Sequence, residues 1–100
     1  MLNVQIVQGL PHALIALNGE LDMATGSTLE TAIKKFQPCQ VGSITFLLDE
    51  LKFIDSTGIG QLIGYYKEYA KYDVPVYIEN NNAEIEEILA LIGVREIMSP

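Results

Sequence analysis

The stretch ITFLLDELKFIDSTGIGQLIGYYKEYAKY, residues 44–72, decides the fold of this chain. Its first five residues are apolar or β-branched and predict a buried strand. A short acidic connection follows, and then Ser56 and Thr57 stand where a long helix is predicted to begin. The apolar residues of that helix recur at offsets of three, four, seven and eleven: Ile59, Leu62, Ile63, Tyr66 and Ala70. A strand that leads directly into a helix is the repeating part of an α/β fold.

The segments on either side of this stretch extend the same alternation of strands and helices. Apolar and alternating runs predict further strands over 2–7, 13–17 and 75–78, and helices over 28–36 and 83–92. The short break at 9–12 favours a hairpin between the first two strands, which makes the first an antiparallel edge. We therefore predict one α/β domain over 1–100, with a mostly parallel four-stranded sheet and three main helices. The tail, 94–100, fits either a short strand or a loose end.

Residues with helix-capping chemistry stand at the predicted helix ends. Ser27 and Glu30 have the spacing of a capping box, and Asn82 is placed as the N-cap of the last helix. Gly93 is expected to stop that helix. Ser56, beside an aspartate, reads first as the N-cap of the central helix.

The composition restricts the partners and the compartment of the protein. The chain has 100 residues and a net charge of −7, with only 6 Lys and Arg, so nucleic acid is not an expected partner and a basic protein is. A single cysteine, Cys39, and a single histidine, His12, exclude an internal disulfide and a Cys/His zinc site. Neither a signal peptide nor a membrane-spanning run is present. We expect a cytoplasmic protein without membrane insertion.

Catalytic signatures are absent from the sequence around Ser56. The run IDSTG at 54–58 lacks the G-x-S-x-G elbow of serine hydrolases, and two residues separate its Asp from its Gly where aspartic proteases have one. Phosphate-loop and dinucleotide patterns are also missing. Glu20, Asp22, Asp49 and Asp55 could hold magnesium, but caps and solvated groups are the stronger interpretation. We expect no enzyme activity, no cofactor and no metal.

Two segments, 19–22 and 49–60, follow predicted strands and should meet at the carboxyl edge of the sheet, where open α/β sheets bind ligands. Gly58, Gly60 and Gly64 leave the first turns of the central helix nearly bare. The hydroxyls of Ser56 and Thr57 would then lie beside a flat apolar surface made by Ile59 and its neighbours. Such a surface could receive a partner protein, including a kinase.

The chain resembles a known family, the STAS domains, and specifically the bacterial anti-sigma-factor antagonists. The most specific similarity is FIDSTGIG at 53–60, beside the family's Asp-Ser-Ser/Thr-Gly-hydrophobic-Gly signature. Supporting similarities are GELD at 19–22, Asp49 after the third predicted strand, and the closing segment 88–94. Arg95-Glu96-Ile97-Met98 lacks the phenylalanine often found near the end of antagonists.

The resemblance implies a binding switch. In that family the unphosphorylated antagonist binds an anti-sigma factor that is also a serine kinase, and so frees the sigma factor for transcription. By this similarity Ser56 is the phosphoacceptor, Thr57 is an alternative acceptor, and a serine phosphatase resets the switch. The partner-contact residues carried over are Asp22, Asp55, Thr57, Gly58, Ile59 and Gly60. Two alternatives stay open: a constitutive scaffold or sensory module in a stress-sensing or lipid-transport assembly, and a small-ligand or nucleotide-binding domain.

Overall fold

A computed structural model describes residues 1–93 of the chain. Its elements, in chain order, are β1 (Leu2–Gln8), β2 (His12–Leu21), α1 (Gly26–Ile33), β3 (Ser43–Leu47), β4 (Leu51–Ile54), α2 (Ser56–Ala70), β5 (Val76–Glu79) and α3 (Ala83–Ile92). The tail at 94–100, for which a strand and a loose end were both considered, lies outside the described residues.

The strands form one mixed sheet in the order β1-β2-β3-β5, with β4 also paired to β2. The hairpin of β1 and β2 is antiparallel, while β3 and β4 both run parallel to β2, and β5 runs parallel to β3. The predicted α/β fold, with a mostly parallel sheet, one antiparallel edge and three helices, is confirmed. Residues 1–93 alone contribute five strands to the sheet, however, and not the predicted four.

The additional strand, β4, lies in the segment that the sequence presented as an acidic connection. It has four residues, and its pattern of burial does not alternate, because only Leu51 and Ile54 face the core. β4 pairs with β2 over Gly19 to Leu21, where a register shift lets β2 continue past Gly19. Gly19 has a φ of +106° and packs against the Met1 carbonyl, so a side chain would not fit there. The segment 19–22 was predicted to follow β2, but its first three residues belong to the strand.

One apolar core joins the sheet to the helices. Alternate residues of β2, among them Ile15 and Leu17, have no solvent exposure, as expected of one face of a strand. They belong to a cluster that takes buried residues from every strand and every helix, including Leu29, Phe46, Leu62, Ile78 and Leu89. Burial of this kind holds α2 and α1 at fixed positions against the sheet, and with them the loops at its carboxyl edge.

The helix ends agree with the sequence at α3 and differ at α1. Asn82 Oδ1 accepts hydrogen bonds from the backbone N–H groups of Glu84 and Ile85, and Gly93 closes α3 with a φ of +78°, both as predicted. The capping box at α1 was wrong. The N-cap position there is Thr25, so Ser27 lies inside the helix, and the Glu30 carboxylate instead accepts from Tyr65.

Candidate functional site

The candidate site lies where β2 and β4 end side by side. Leu21 and Ile54 are register partners in this parallel pair, and the N–H of Asp55 donates to the Leu21 carbonyl at 3.3 Å. The loop 22–25 and the start of α2 therefore leave the same edge of the sheet together. This is the carboxyl edge at which open α/β sheets place their functional loops.

Asp55 is the residue that fastens these two segments together. Its backbone is extended, and its Oδ1 accepts a hydrogen bond of 2.8 Å from the N–H of Gly58, so Asp55 is the N-cap of α2. Its Oδ2 accepts from the N–H of Met23, at 3.3 Å, in the neighbouring loop. The prediction of Ser56 as the N-cap was wrong, because the cap precedes the first helical residue and Ser56 is that residue.

Ser56 and Thr57 occupy the first two positions of α2, and both are exposed. Neither hydroxyl makes a hydrogen bond to another of residues 1–93, so both are available to a reagent from solution. The first backbone N–H groups of a helix lack intrahelical acceptors and stand at the positive end of its dipole. A negative group added to Ser56 would meet favourable electrostatics from the helix itself.

Asp22 organises the loop beside Ser56. Its Oδ1 accepts hydrogen bonds from the N–H groups of Ala24, at 2.9 Å, and Thr25, at 3.1 Å. Thr25 Oγ1 donates in turn to the Glu20 carbonyl at 2.8 Å. These local bonds form an Asx turn. The structure thus brings Asp22, Asp55, Ser56 and Thr57 to one edge, as the resemblance implied.

The other predicted contact residues divide into buried and exposed ones. Gly58 is buried, and a Cβ on it would lie 2.5 Å from the Leu21 carbonyl oxygen, so only glycine fits this approach of α2 to β2. Ile59 is only 4% exposed, so the flat apolar surface predicted around it is wrong. Gly60 is exposed with open space around its Cα. The glycines thus serve different purposes.

Exposed apolar side chains are nevertheless present near this edge. Met23, whose N–H bonds to Asp55, is 80% exposed, and Phe53, two residues before Asp55, is 47% exposed. Phe53 was quoted from the sequence only as the first residue of FIDSTGIG, without a role, and Met23 was not named. Their exposure could not be predicted, because it depends on which elements pack beside them.

A hydrogen-bonded chain behind the site ties α1 to α2. Gln61 Nε2 donates to the Gly26 carbonyl at 2.8 Å and to Tyr65 Oη at 2.7 Å, and Tyr65 Oη donates to Glu30 Oε2 at 2.6 Å. Burial, and then the hydrogen bond to Glu30, raise the pKa of Tyr65 well above the ordinary tyrosine value. These residues hold the start of α1, and with it the loop 22–25, at a fixed spacing from α2.

The other residues considered for chemistry lie apart from this edge. Asp49 accepts a hydrogen bond from the N–H of Asn81, in the loop before α3. His12 stands at the amino end of β2, where its Nδ1 is 2.8 Å from Ser43 Oγ, so it is at the wrong end of the strand to act as a base for Ser56. Within residues 1–93, no three His, Cys, Asp or Glu side chains lie close enough to hold a metal ion.

No helix in the described range 1–93 has the length and apolar character needed to cross a membrane.

Comparison with known protein families gives a match over nearly the whole chain. A family model described as "STAS domain" matches residues 2–100. Among curated proteins, the anti-sigma-B factor antagonist of Staphylococcus aureus (strain NCTC 8325 / PS 47) is 26% identical over 84 residues, which are 84% of this chain and 78% of that protein. The antagonist of the same name from Staphylococcus epidermidis is 24% identical, over 97% of this chain and 90% of its own length.

Solved structures give the same likeness of fold. An anti-sigma factor antagonist from Mycobacterium paratuberculosis superimposes with a TM-score of 0.82 at 19% identity, over 96% of this chain and 81% of that one. The Bacillus cell fate determinant SpoIIAA in its phosphorylated form superimposes with a TM-score of 0.64 at 22% identity, over 98% of this chain and 88% of that one. Because both structures are less than 25% identical to this chain, these superpositions show a shared fold only.

Proposed function

The chain belongs to the STAS domain family, and we propose that it acts as an anti-sigma-factor antagonist switched by phosphorylation of Ser56. In its unphosphorylated form it binds an anti-sigma factor that is also a serine kinase, and the sigma factor is released. Phosphorylation ends that binding, and a serine phosphatase restores it. The protein is a cytoplasmic binding switch and not an enzyme.

One observation carries the proposal: Ser56 is exposed, without a hydrogen bond inside the described part of the chain, on the first turn of α2. Asp55 takes the capping role, so the Ser56 hydroxyl is not needed to hold the helix. Ser56 could therefore be phosphorylated without unfolding the domain. The printed names of the relatives, and a neighbour solved in a phosphorylated form, support the choice of this function.

The electrostatics of the site support an effect of phosphorylation on partner binding and not on folding. A phosphate adds a charge of about −1.5 to −2, which the amino end of α2 accommodates locally. Asp55 adjoins it and Asp22 lies in the neighbouring loop, so the surface that faces the partner becomes strongly negative. Bringing that surface into a dry contact costs several kcal/mol, and about 4 kcal/mol weakens binding about a thousandfold.

Partner contacts come from the exposed groups of this edge. Thr57 and Gly60 face solvent directly, and Asp22 and Asp55 lie at its surface. Gly58 and Ile59 are buried, so they act by setting the position of the first turn. Met23 and Phe53 add exposed apolar area beside the acidic groups. A complementary partner surface would be basic, with apolar residues at its centre.

The test is phosphotransfer from the anti-sigma kinase and ATP, read by intact mass and by fragment mapping. We expect one phosphate on the wild type and on Thr57→Ala, and none on Ser56→Ala. The Thr57→Ala variant is the matched control, since it removes the adjacent exposed hydroxyl. Phosphate on Ser56→Ala would overturn the site assignment. If neither Ser56→Ala nor Ser56→Asp changes the affinity for the partner, a constitutive scaffold or sensory module would be favoured instead.

A further inference from the structure

β1, the turn after it and β2 as far as Gly19 form the part of this acidic chain that has no charged side chain; the N-terminal ammonium pairs with Glu20 of β2 at 2.8 Å. Residues 1–19 contain no Asp, Glu, Lys or Arg, and all 13 acidic and 6 basic residues lie in 20–100. Two copies of a protein with a net charge of −7 repel one another through most of their surface. The hairpin is the segment on which two copies can meet with the least repulsion.

β1 is an edge strand without the usual protection against pairing. Among residues 1–93 it pairs with β2 alone, and it has seven residues with neither a charge nor a proline. At the other end of the sheet formed by residues 1–93, β5 has only four residues, follows Pro75 and ends in Glu79. Charge, proline and short length are among the devices that prevent edge-to-edge association, and β1 lacks these three, although its ladder with β2 is irregular between Ile6 and Gln8.

The hydrogen-bonding pattern fixes which backbone groups of β1 face outward. The N–H of Glu20 donates to the Met1 carbonyl at 3.0 Å, which makes Met1 and Glu20 a hydrogen-bonded pair of the antiparallel ladder. Such pairs alternate along a strand, so Asn3 and Gln5 also bond to β2. Leu2, Val4 and Ile6 then direct their N–H and C=O groups to the open edge.

These three residues make β1 complementary to itself. The ladder with β2 is regular from Leu2 to Ile6 and shifts between Ile6 and Gln8. An antiparallel pair of β1 strands centred on Val4 places Val4 opposite Val4 and Leu2 opposite Ile6, with all apolar side chains on the core face. On the other face, Asn3 lies opposite Gln5, and amide meets amide. In this register each apolar side chain faces an apolar side chain, and each amide side chain faces an amide.

The core face has room for this arrangement. Leu2 is buried, Val4 packs on the core, and Ile6 is 38% exposed in the described part of the chain, 1–93. A groove of about 600 Å³ lies between β1 and α1, lined by Leu2, Val4, Thr28, Ala32 and Lys35 among others. Ile6 of a second copy would enter this groove beside Leu2, where it would lose its exposure to water.

We propose that β1 is a homodimerisation edge, through which two copies join their sheets by antiparallel pairing centred on Val4. We infer that a second copy of the chain pairs with this edge because β1 is complementary to itself. The acidic surfaces elsewhere on the two copies repel each other, so β1 is where two copies can meet. A five-residue pairing is smaller than standard interfaces, so the dimer is weak and forms at high protein concentration. The carboxyl edge that bears Ser56 is left free in the dimer.

The test is sedimentation velocity of the whole chain from micromolar to millimolar concentration. We expect the mass to rise with concentration from 11.0 kDa toward twice that value. Added salt should strengthen the association, because it screens repulsion between acidic surfaces and leaves an uncharged contact intact. A mass of 11.0 kDa at every concentration would overturn the proposal.

Charge-swapped variants test the register. Asn3 and Gln5 are exposed, and in the proposed β1–β1 ladder they face each other in non-hydrogen-bonded pairs, where facing side chains are closest. The double substitution Asn3→Lys with Gln5→Lys should give a monomer, and so should Asn3→Glu with Gln5→Glu. A mixture of the two variants should dimerise again. Dimers in either variant alone, or none in the mixture, would contradict this pairing.

A control keeps the change in charge and moves it. Gln37→Lys with Gln40→Lys adds the same two charges on exposed positions of the loop between α1 and β3. We expect this variant to dimerise as the wild type does. Loss of dimer in the control would mean that net charge, and not the β1 edge, governs association.

Discussion

The carboxyl edge of the sheet and the β1–β2 hairpin are opposite in chemistry. The carboxyl edge carries Asp22, Asp55 and the Ser56 hydroxyl, and its loops are held by hydrogen bonds to those carboxylates. The hairpin, residues 1–19, carries no charged side chain and exposes Ile6 and Val7. A contact at the first surface responds to added charge, whereas a contact at the second responds to apolar area and strand pairing. One small domain can therefore keep a regulated contact and a constant one apart.

Partner binding gives the largest expected difference between the two regions. Phosphorylation of Ser56 should weaken binding of the anti-sigma factor by about a thousandfold, or 4 kcal/mol, for the electrostatic reason given above. The Asn3→Lys with Gln5→Lys variant should bind within about twofold of wild type, because its charges lie on the hairpin. Titration calorimetry on each protein checks both statements. A comparable loss of affinity in the Asn3→Lys with Gln5→Lys variant would mean that the anti-sigma factor binds at the hairpin and not at the carboxyl edge.

The next effect comes from the tight approach of α2 to β2. Gly58→Ala should lower the free energy of unfolding by about 1–3 kcal/mol, because its Cβ would lie 2.5 Å from the Leu21 carbonyl oxygen and 2.9 Å from Leu21 Cγ. Gly60→Ala, two residues on, meets nothing within 4 Å and should instead stabilise by up to about 1 kcal/mol through helix propensity. Urea denaturation of both variants makes the comparison. Equal effects would mean that the two glycines do not differ in packing.

The double role of Asp55 predicts a smaller loss. Asp55→Ala removes the cap of α2 and the bond to the Met23 N–H, and should cost about 1–2 kcal/mol of unfolding free energy. Amide exchange at Met23 should also accelerate. Asp49→Ala, which releases only the Asn81 N–H, is the control and should leave exchange at Met23 unchanged. If Asp55→Ala leaves the amide exchange rate of Met23 unchanged, Asp55 does not link the loop 22–25 to the start of α2.

The smallest effect concerns Tyr65 and alkaline pH. Burial, and then the hydrogen bond to Glu30, raise the folded pKa of Tyr65 above the ordinary tyrosine value of 10.0, so its contribution to stability is fully present below pH 10 and is lost as pH rises further. Tyr65→Phe should cost about 1 kcal/mol at pH 8 and should show a shallower decline above pH 10. Tyr72→Phe, which removes the hydroxyl of a tyrosine that is 57% exposed just after α2, is the control and should keep the wild-type decline. Equal slopes in wild type and Tyr65→Phe would contradict the raised pKa.

The sequence was sufficient for the fold wherever a pattern was local and long. The spacing of Ile59, Leu62 and Tyr66 predicted α2, and Asn82 and Gly93 predicted both ends of α3. β4 was not predicted, because its four residues show neither alternation nor a continuous apolar run. Its two middle residues, Lys52 and Phe53, are both exposed. Its pairing depends on a register shift in β2 that no local signal encodes.

At the site, the sequence placed the residues and misassigned two roles. Asp22, Asp55, Ser56 and Thr57 do meet at one edge. The capping role belongs to Asp55 because the helix begins at Ser56, one residue earlier than a serine cap at that position would require. Ile59 is in the core because the first turn of α2 lies against β2, a contact made possible by Gly58. Gln61 could not have been found, since its partners Gly26 and Tyr65 come together only in three dimensions.

The proposed switch requires that the unphosphorylated chain frees a sigma factor and that the phosphorylated chain does not. The most direct measurement is a competition assay in which a labelled sigma factor is bound to the anti-sigma factor and the chain is added in increasing amounts. We predict that unphosphorylated chain displaces the label, and that chain phosphorylated on Ser56 leaves it bound at the same concentrations. Equal displacement by both forms, or displacement by neither, would contradict the account.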